Sequence, residues 1–255
     1  MSSQQEKAVE FKKLHLSGAP LILFNAWDAG SVAAVSTQGA KAIALGSHGV
    51  ANAHGYEDGE SIPLELVLAN ATRCVNATGL PVSLDFETGY GSNPAMVKAS
   101  VIRALQTGII GINIEDQISG GDGLYEISEQ VERLQAVRSA AHEFGVELFI
   151  NARTDLFKNA QPANHNEDLL DSVLERAVAF ARAGADGLFV PGINDEKLIT
   201  RLSAESPLPV NTIWLPGMLD PTVMAKAGVS RVSYGPGPYL QMIEWLKSEA
   251  KTALN

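Results

Sequence analysis

Short apolar runs alternate with longer amphipathic segments along most of the chain. Eight such runs recur, and most begin within a few residues of a glycine. They lie at 21–25, 40–46, 79–86, 109–116, 145–152, 185–192, 208–213 and 229–235. The runs are almost continuously apolar rather than alternating, which is typical of strands whose sheet is covered by helices. The pattern therefore predicts eight short, buried, parallel β-strands.

The segments between the runs carry apolar residues at helical spacing. Helices are predicted at 64–75, 95–105, 126–141, 168–183 and 195–202, with a further helix at about 5–16 and a long amphipathic one at 239–254. Eight strand–helix alternations in 255 residues are typical of a (β/α)8 barrel. The prediction is one such TIM barrel domain spanning 1–255, with the 5–16 helix across its bottom. A doubly wound open sheet is the alternative.

Charge and composition narrow the class of protein. The formal net charge of −10 and a pI near 5.0 argue against a nucleic acid or an acidic lipid surface as partner. Cys74 is the single cysteine, so no intrachain disulfide can form, and its place in the predicted 64–75 helix indicates packing. The polar N-terminal segment and the absence of a run of about 18 apolar residues predict a soluble, cytoplasmic protein with no membrane partner.

Polar residues are concentrated where the predicted strands end, which is the end of a barrel that carries reactive groups. The first five strand ends supply, in order, Asn25 to Asp28, Ser47 to Gly49, Asp85 with Glu87, Glu115 with Asp116, and Arg153 with Asp155. A single acid at such a place is usually a helix cap, and that alternative applies to Asp28 and Asp155. Three clustered acids need compensation if they are buried, so Asp85, Glu87 and Glu115 are interpreted as functional.

A divalent cation is the natural counter-charge for these acids, because Arg153 supplies only one positive charge. Oxygen ligands without a cysteine or a histidine pair favour Mg²⁺, with Mn²⁺ as the other candidate. The Ser47–Gly49 segment is expected to be a loop whose amides face an anionic group. A metal, an arginine and anion-binding amides together suit the stabilisation of an enolate beside a carboxylate. The expected substrate is a small 2-oxo acid or dicarboxylate.

Six segments, in their order and spacing, carry a family resemblance. They are NAWDAGSVAA (25–34), GSHGVANAHGYEDG (46–59), LDFETGYG (84–91), GINIEDQ (111–117), NARTD (151–155) and GADGLFVPG (184–192). Together they resemble the isocitrate lyase/phosphoenolpyruvate mutase superfamily over most of the chain. The resemblance implies a (β/α)8 barrel that uses Mg²⁺ on small 2-oxo acids or their phosphonate relatives. It also implies a homo-oligomer, a dimer or tetramer, in which the last helix is exchanged between subunits.

The resemblance assigns roles by position. Asp85, Glu87 and Glu115 correspond to the acids of the metal site, and Glu87 stands where Asp is common. Ser47, His48 and Gly49 correspond to the segment that binds the substrate carboxylate, and Arg153 to the substrate-binding arginine. Asp58 corresponds to an acid lining the same pocket, which makes Arg153, His48 and Asp58 the catalytic candidates. Asn211, at the end of the seventh run, joins the substrate-binding candidates. The remaining residues of note, His15, His142 and His165, are expected at the surface.

Two departures from the superfamily pattern limit the reaction. The segment EDQISGGDGLYEISEQ (115–130) lacks the cysteine, lysine and histidine of the lyase loop, and Pro191 stands where relatives often have His or Glu. Isocitrate lyase, methylisocitrate lyase and phosphoenolpyruvate mutase proper are therefore disfavoured. The hypothesis is a Mg²⁺-dependent lyase that cleaves a C–C bond of a 2-oxo carboxylate through an enolate. The alternatives are hydrolysis of a C–C or C–P bond and a catalytically silent barrel that binds a carboxylate.

Overall fold

Eight parallel strands form the centre of the protein. The computed structural model describes residues 2–254. The strands are β1 (Leu21–Leu23), β2 (Ile43–Leu45), β3 (Val82–Asp85), β4 (Gly111–Glu115), β5 (Phe149–Arg153), β6 (Gly187–Phe189), β7 (Val210–Ile213) and β8 (Arg231–Ser233). They pair in the order β1-β8-β7-β6-β5-β4-β3-β2. Ala26 bridges the two edges by accepting from the Gly46 amide (3.0 Å) and donating to the Ala44 carbonyl (2.9 Å). The predicted (β/α)8 barrel is confirmed as a nearly closed ring.

Helices surround this ring. They are α1 (Gln4–Lys13), α2 (Ala29–Ser36), α3 (Ser47–Ala53), α4 (Leu64–Asn76), α5 (Pro94–Gln106), α6 (Ile127–Phe144), α7 (Leu156–Asn159), α8 (Glu167–Ala183), α9 (Glu196–Glu205), α10 (Pro221–Lys226) and α11 (Gly237–Leu254). All seven predicted helices are present within a few residues of their expected bounds. The four helices that the pattern missed, α2, α3, α7 and α10, are short, with eight residues or fewer.

Local chemistry explains where the longer helices begin and end. Side chains of Asn93, Asn166 and Asp195 accept backbone amide hydrogen bonds at the starts of α5, α8 and α9. These caps satisfy amides that have no partner inside a helix. The helices α6 and α8 end at Gly145 and Gly184, whose φ angles of 81° and 100° are left-handed and favour glycine.

The bottom of the barrel is closed by α1 and the residues that follow it. His15 is buried there, and its ring stacks on Phe149 with centroids 4.1 Å apart and planes inclined by 16°. Burial, with a contribution from the charge of Arg231, lowers the pKa of His15 to about 3. The expectation that His15 lies at the surface is therefore wrong. Its apolar stacking surface and its packing beneath the barrel explain the burial.

The outer face of β1 is open to solvent among the residues that the structure describes. Ile22 and Phe24 are 43% and 44% exposed there, beside a groove of about 760 Å³ that α2 borders on one side. The last helix, α11, extends from the top of the barrel, and its residues from 241 to 254 are exposed or half-buried. Within residues 2–254, no helix is long and apolar enough to cross a membrane.

Candidate active site

A cavity of about 590 Å³ opens at the carboxyl ends of the strands. Of the residues predicted from the sequence, the structure brings Ser47, His48, Asp58, Asp85 and Arg153 to its lining. Glu87 contributes to a small adjoining space together with Ser47 and Asp85. Gly49 packs instead against Trp27 and Tyr239. The strand-end rule thus assembles most of the candidates at one place.

Asp85 ends β3 and is oriented by two neighbours. Its Oδ2 accepts a hydrogen bond from the Ser47 hydroxyl at 3.1 Å, and its Oδ1 accepts a longer one from the Asn113 side-chain amide at 3.4 Å. Burial raises the pKa of Asp85, and the positive charge of Arg153 opposes that rise. A buried carboxylate with so few donors is electrostatically under-compensated and can accept a cation.

Glu87 is held in a strained turn directly after β3. Its φ angle is 51°, in the left-handed region that side chains rarely adopt. Its Oε1 accepts from the Gly59 amide at 3.3 Å, whereas its buried Oε2 has no hydrogen-bond partner. Burial, followed by the charges of Asp85 and Asp58, raises the pKa of Glu87 to about 9. The side chain is consequently protonated at neutral pH unless positive charge is added.

Arg153, at the end of β5, is clamped between two acids. Its Nε and Nη2 donate to Oδ1 and Oδ2 of Asp155 at 2.6 and 2.8 Å, and its Nη1 lies 2.7 Å from Glu115 Oε2. Burial alone would raise the pKa of Asp155, but Arg153 and Lys158 hold it below its usual range. The guanidinium is fixed by these contacts and lines the cavity. Asp155 is therefore the partner of Arg153 rather than a helix cap.

Glu115 and Asp116 end β4 and face different neighbours. Burial raises the pKa of Glu115 to about 7, and Arg153 limits the rise. Asp116 is fully buried, and its carboxylate accepts hydrogen bonds from Arg176 of α8 and from the Asp155 amide, both at 3.1 Å. Its backbone carbonyl accepts a hydrogen bond from the Tyr125 amide. Asp116 thus holds the far end of the short segment after β4 close to the end of the strand. The sequence placed it at the rim but did not reveal this structural role.

The segment after β2 differs from its expectation. Ser47, His48 and Gly49 form the first turn of α3, not a loop, since the first intrahelical bond runs from the Val50 amide to Gly46. Amides in a first turn have no intrahelical acceptor. His48 Nδ1 lies 3.9 Å from Asp58 Oδ2, and its buried Nε2 has no partner. His48 is thus the histidine at the acidic side of the cavity with a free ring nitrogen.

Asn211 and Arg231 lie inside the barrel below the cavity. The Asn211 side-chain amide donates to the carbonyls of Thr212 (2.7 Å) and Arg231 (3.0 Å), which ties it to the strands rather than to the cavity. Arg231 is 1% exposed, donates to Asn113 Oδ1 at 3.3 Å and leaves Nη1 without a partner. Burial lowers the pKa of Arg231 to about 9, and the charge of Asp85 opposes this. No sequence signal marks this buried cation, because it lies within an ordinary apolar run.

These side chains fit a Mg²⁺ site of the partly hydrated kind. Within residues 2–254, no three His, Cys, Asp or Glu side chains form a ready metal cage. Mg²⁺ keeps several waters and is commonly held through one or two carboxylates. The unpartnered Oε2 of Glu87 and the raised pKa values of Asp85, Glu87 and Glu115 all mark a place that lacks positive charge. The all-oxygen donor set favours Mg²⁺ or Mn²⁺ over zinc.

Comparison with known proteins agrees with this fold. Residues 11–254 match the family model described as phosphoenolpyruvate phosphomutase. A presumed phosphonomutase from Burkholderia cenocepacia J2315 has a solved structure with a TM-score of 0.96 and 44% identity, over 98% of this chain and 100% of that one.

Two curated relatives extend the comparison. An uncharacterised protein of Mycobacterium tuberculosis (strain H37Rv) is 35% identical over 91% of this chain and 83% of its own length. The 2-methylisocitrate lyase of Vibrio cholerae is 31% identical over 65% of this chain and 53% of its own length. The chain therefore belongs to the phosphoenolpyruvate mutase/isocitrate lyase superfamily, whose Mg²⁺-dependent lyases, mutases and hydrolases break C–C or C–P bonds of small carboxylates.

Proposed function

We propose that this protein is a Mg²⁺-dependent lyase that cleaves a C–C bond of a small 2-oxo carboxylate through an enolate. The observation that carries the proposal is the acid cluster of the half-buried Asp85 and the buried Glu87 and Glu115, for which Arg153 supplies the nearest positive charge. We assign Asp85, Glu87 and Glu115 as the residues that would hold Mg²⁺, directly or through water. When bound, Mg²⁺ supplies positive charge beside the keto and carboxylate oxygens, which stabilises the enolate.

Each remaining side chain has a definite task in this proposal. Arg153 directs N–H groups at the developing oxygen charge, and Asp155 prevents it from swinging away. Ser47 keeps Asp85 turned towards the cavity, and its own amide, with those of His48 and Gly49, faces the substrate carboxylate. His48 lines the cavity and is the proposed proton carrier, and Asp58 Oδ2 lies 3.9 Å from its Nδ1. Asn211 acts from below by holding the strand ends in place.

The segment after β4 supports a lyase that uses no cysteine acid. Gln117 and Leu124 pair as a short antiparallel bridge, so the segment folds back on itself beside the cavity. Its Ser119 hydroxyl donates to Glu60 at 2.9 Å, which links it to the loop after α3. Between 116 and 126 the chain offers no Cys, Lys or His. The proton in this proposal therefore comes from His48 or from water.

Calorimetric titration with oxalate tests the metal assignment. Oxalate resembles the chelating end of a 2-oxo acid and should bind only when Mg²⁺ is present. Asp85→Asn should abolish that binding, whereas Asp220→Asn, at the exposed cap of α10, should leave it unchanged because Asn caps a helix as well as Asp. Oxalate binding that survives Asp85→Asn would show that the metal site lies elsewhere.

A panel of 2-oxo acids, assayed with Mg²⁺ for pyruvate release, tests the catalytic part. The lyase proposal predicts turnover of at least one acid that is lost without Mg²⁺. If oxalate binds with Mg²⁺ but no acid is turned over, the protein is the silent carboxylate-binding barrel. Release of oxalate or of inorganic phosphate instead would favour a hydrolase.

We also propose that the protein is a homo-oligomer in which α11 of one copy covers β1 of another. The helix exposes Leu240, Trp245 and Leu246, at 46%, 62% and 50%, and the groove exposes Ile22 and Phe24. Two apolar surfaces of this size on one chain favour mutual burial. Light scattering should give a dimer or tetramer for the natural chain and a smaller species for Trp245→Glu. Gln106→Glu, at an exposed position of α5, adds the same single negative charge away from α11 and serves as the control. A monomeric natural chain would contradict this proposal.

A further inference from the structure

The cavity has two chemically different sides, and the barrel topology explains the division. The ends of β2, β3, β4 and β5 are neighbours in the ring and bring Ser47, Asp85 and Arg153 to one side. The ends of β6 and β7 lie across from β2 and β3, and they bring Pro191 and Ile213 to the other. Leu215 and Met218 continue that apolar side towards the opening, and we call these four residues the apolar wall.

Two phenylalanines extend the apolar wall inward. Phe189 and Phe157 both line the cavity, and they are 4% and 1% exposed. The Phe189 ring lies 5.6 Å from the guanidinium of Arg153 and so marks the boundary between the two sides. A ligand chelated near Asp85 would therefore extend its far end past Phe189 onto the apolar wall.

The cations that line the cavity are already engaged. Lys158 Nζ lies 2.7 Å from Asp155 Oδ2 and 3.4 Å from Gln117 Oε1. Arg153 is shared by Asp155 and Glu115. His165 uses Nε2 on the Phe157 carbonyl at 2.9 Å. Among the described residues, Arg153 and Lys158 are the arginine and lysine that line the cavity, and both are already paired. No free positive charge therefore lies beside the apolar wall for a second anionic group on the ligand.

These observations favour one kind of substituent. A carboxylate or phosphonate placed against the apolar wall would lose its hydration without gaining a counter-ion, which is strongly unfavourable. An alkyl or aryl group would gain about fourfold in affinity for each methylene it buries. The cavity of about 590 Å³ also exceeds what a three-carbon acid needs, since pockets of this size hold much larger ligands.

We propose that the substrate is a 4-hydroxy-2-oxo monocarboxylate whose C4 carries an apolar branched or aromatic substituent, rather than a dicarboxylate or a phosphonate. Retro-aldol cleavage of its C3–C4 bond would pass the C4 hydroxyl proton to a base, release the substituent as an aldehyde and leave the enolate of pyruvate, which takes up a proton at C3. This inference rests on the proposed function, because it takes the 2-oxo acid end to lie at Asp85. The apolar wall then selects the substituent, and the acidic side carries the reaction that is common to all substituents.

Two matched ligands test the inference. 4-Methyl-2-oxopentanoate and 2-oxoglutarate share a five-carbon main chain, and beyond C3 the first carries an isopropyl group where the second carries a carboxymethyl group. In titrations with Mg²⁺, the branched acid should bind at least about tenfold more tightly, as expected for two or three buried carbon groups. Met218→Lys should reduce or reverse this preference by adding a free cation at the wall, whereas Met218→Leu should keep it.

The outcomes separate this inference from the proposed function. If oxalate binds with Mg²⁺ but 2-oxoglutarate binds as tightly as the branched acid or more tightly, the apolar substituent is wrong and the metal site stands. An unchanged preference in Met218→Lys would also overturn the inference, because the wall would then not touch the substituent. If oxalate itself fails to bind with Mg²⁺, the proposed function fails and this inference fails with it.

Discussion

Ion pairs and hydrogen bonds fix the side chains on the acidic side of the cavity, whereas those of the apolar wall are held by packing alone. Asp155 fixes Arg153 through two hydrogen bonds, and Ser47 fixes Asp85 through one. The apolar wall has no comparable restraint, and Ile213, Leu215 and Met218 are only partly buried. Positions on the acidic side should therefore tolerate few substitutions, whereas the wall can vary its shape and so its ligand.

The largest effect should come from breaking the clamp on Arg153. Asp155→Asn keeps the shape of the side chain but removes the charge that two guanidinium nitrogens face. Charge-assisted hydrogen bonds contribute about 1.5–3 kcal/mol, so kcat/KM should fall about 100-fold. Asp28→Asn makes the same chemical change at the cap of α2 and should leave kcat/KM unaltered. Equal kcat/KM for both variants would show that the clamp has no part in catalysis.

A smaller effect should appear in the pH dependence of stability. The pKa of Glu87 is about 9 in the folded protein against 4.5 as its ordinary value, so the folded state retains a proton that the unfolded state loses. That contribution is fully present below about pH 4.5 and is lost as pH rises through 9. Without metal, the free energy of unfolding should drop by roughly 2 kcal/mol more in the natural protein than in Glu87→Gln between pH 6 and 7.5.

Urea unfolding in the presence of a chelator measures this difference. Mg²⁺ should reduce the pH dependence of the free energy of unfolding of the natural protein, because it stabilises the ionised acid. On the apolar wall, Ile213→Val should change the free energy of unfolding by the same amount at every pH. A pH-dependent effect at Glu87 and a pH-independent one at Ile213 would distinguish the two sides of the cavity. Parallel curves for the natural protein and Glu87→Gln would contradict the raised pKa.

The smallest effect concerns the buried cation beneath the acids. Arg231→Met replaces a fully buried guanidinium with an apolar side chain of comparable length. Removal of a positive charge near the cluster should tighten Mg²⁺ binding, because a nearby cation repels the bound ion. Titration with Mg²⁺ and oxalate checks this, and Arg103→Met, on the exposed side of α5, is the control. Weaker binding would show that Arg231 supports the site instead.

The sequence predicted the ring and the acidic side because both follow from short-range rules. Glycine after a helix and a continuous apolar run identify a strand, and the strand-end rule then places Asp85, Glu115 and Arg153 together. The short α2 and α3 escaped prediction because sequences such as AGSVAAVS contain few polar residues to define a face. Cys74, predicted to pack, is indeed fully buried in α4.

The rest depended on long-range contacts that no local pattern encodes. The stacking of His15 on Phe149, 134 positions later in the chain, buries a histidine that looks like a surface residue. Asp155 is an exception, because its partners Arg153 and Lys158 are only two and three positions away; the same local pattern also fits a helix cap, so the sequence did not decide between the two. The apolar wall joins residues from two strand ends and the segments after them, and single apolar residues at strand ends look like ordinary core.

Diffraction from crystals soaked with Mn²⁺ and oxalate tests the central claim most directly. Mn²⁺ takes the same oxygen ligands as Mg²⁺ and gives an anomalous signal that locates it. The account predicts a single anomalous peak in the cavity beside the end of β3, bound to Asp85 directly or through one water, with oxalate completing its ligands. A peak at another place, or none while Asp85 stays hydrogen-bonded to Ser47, would contradict it.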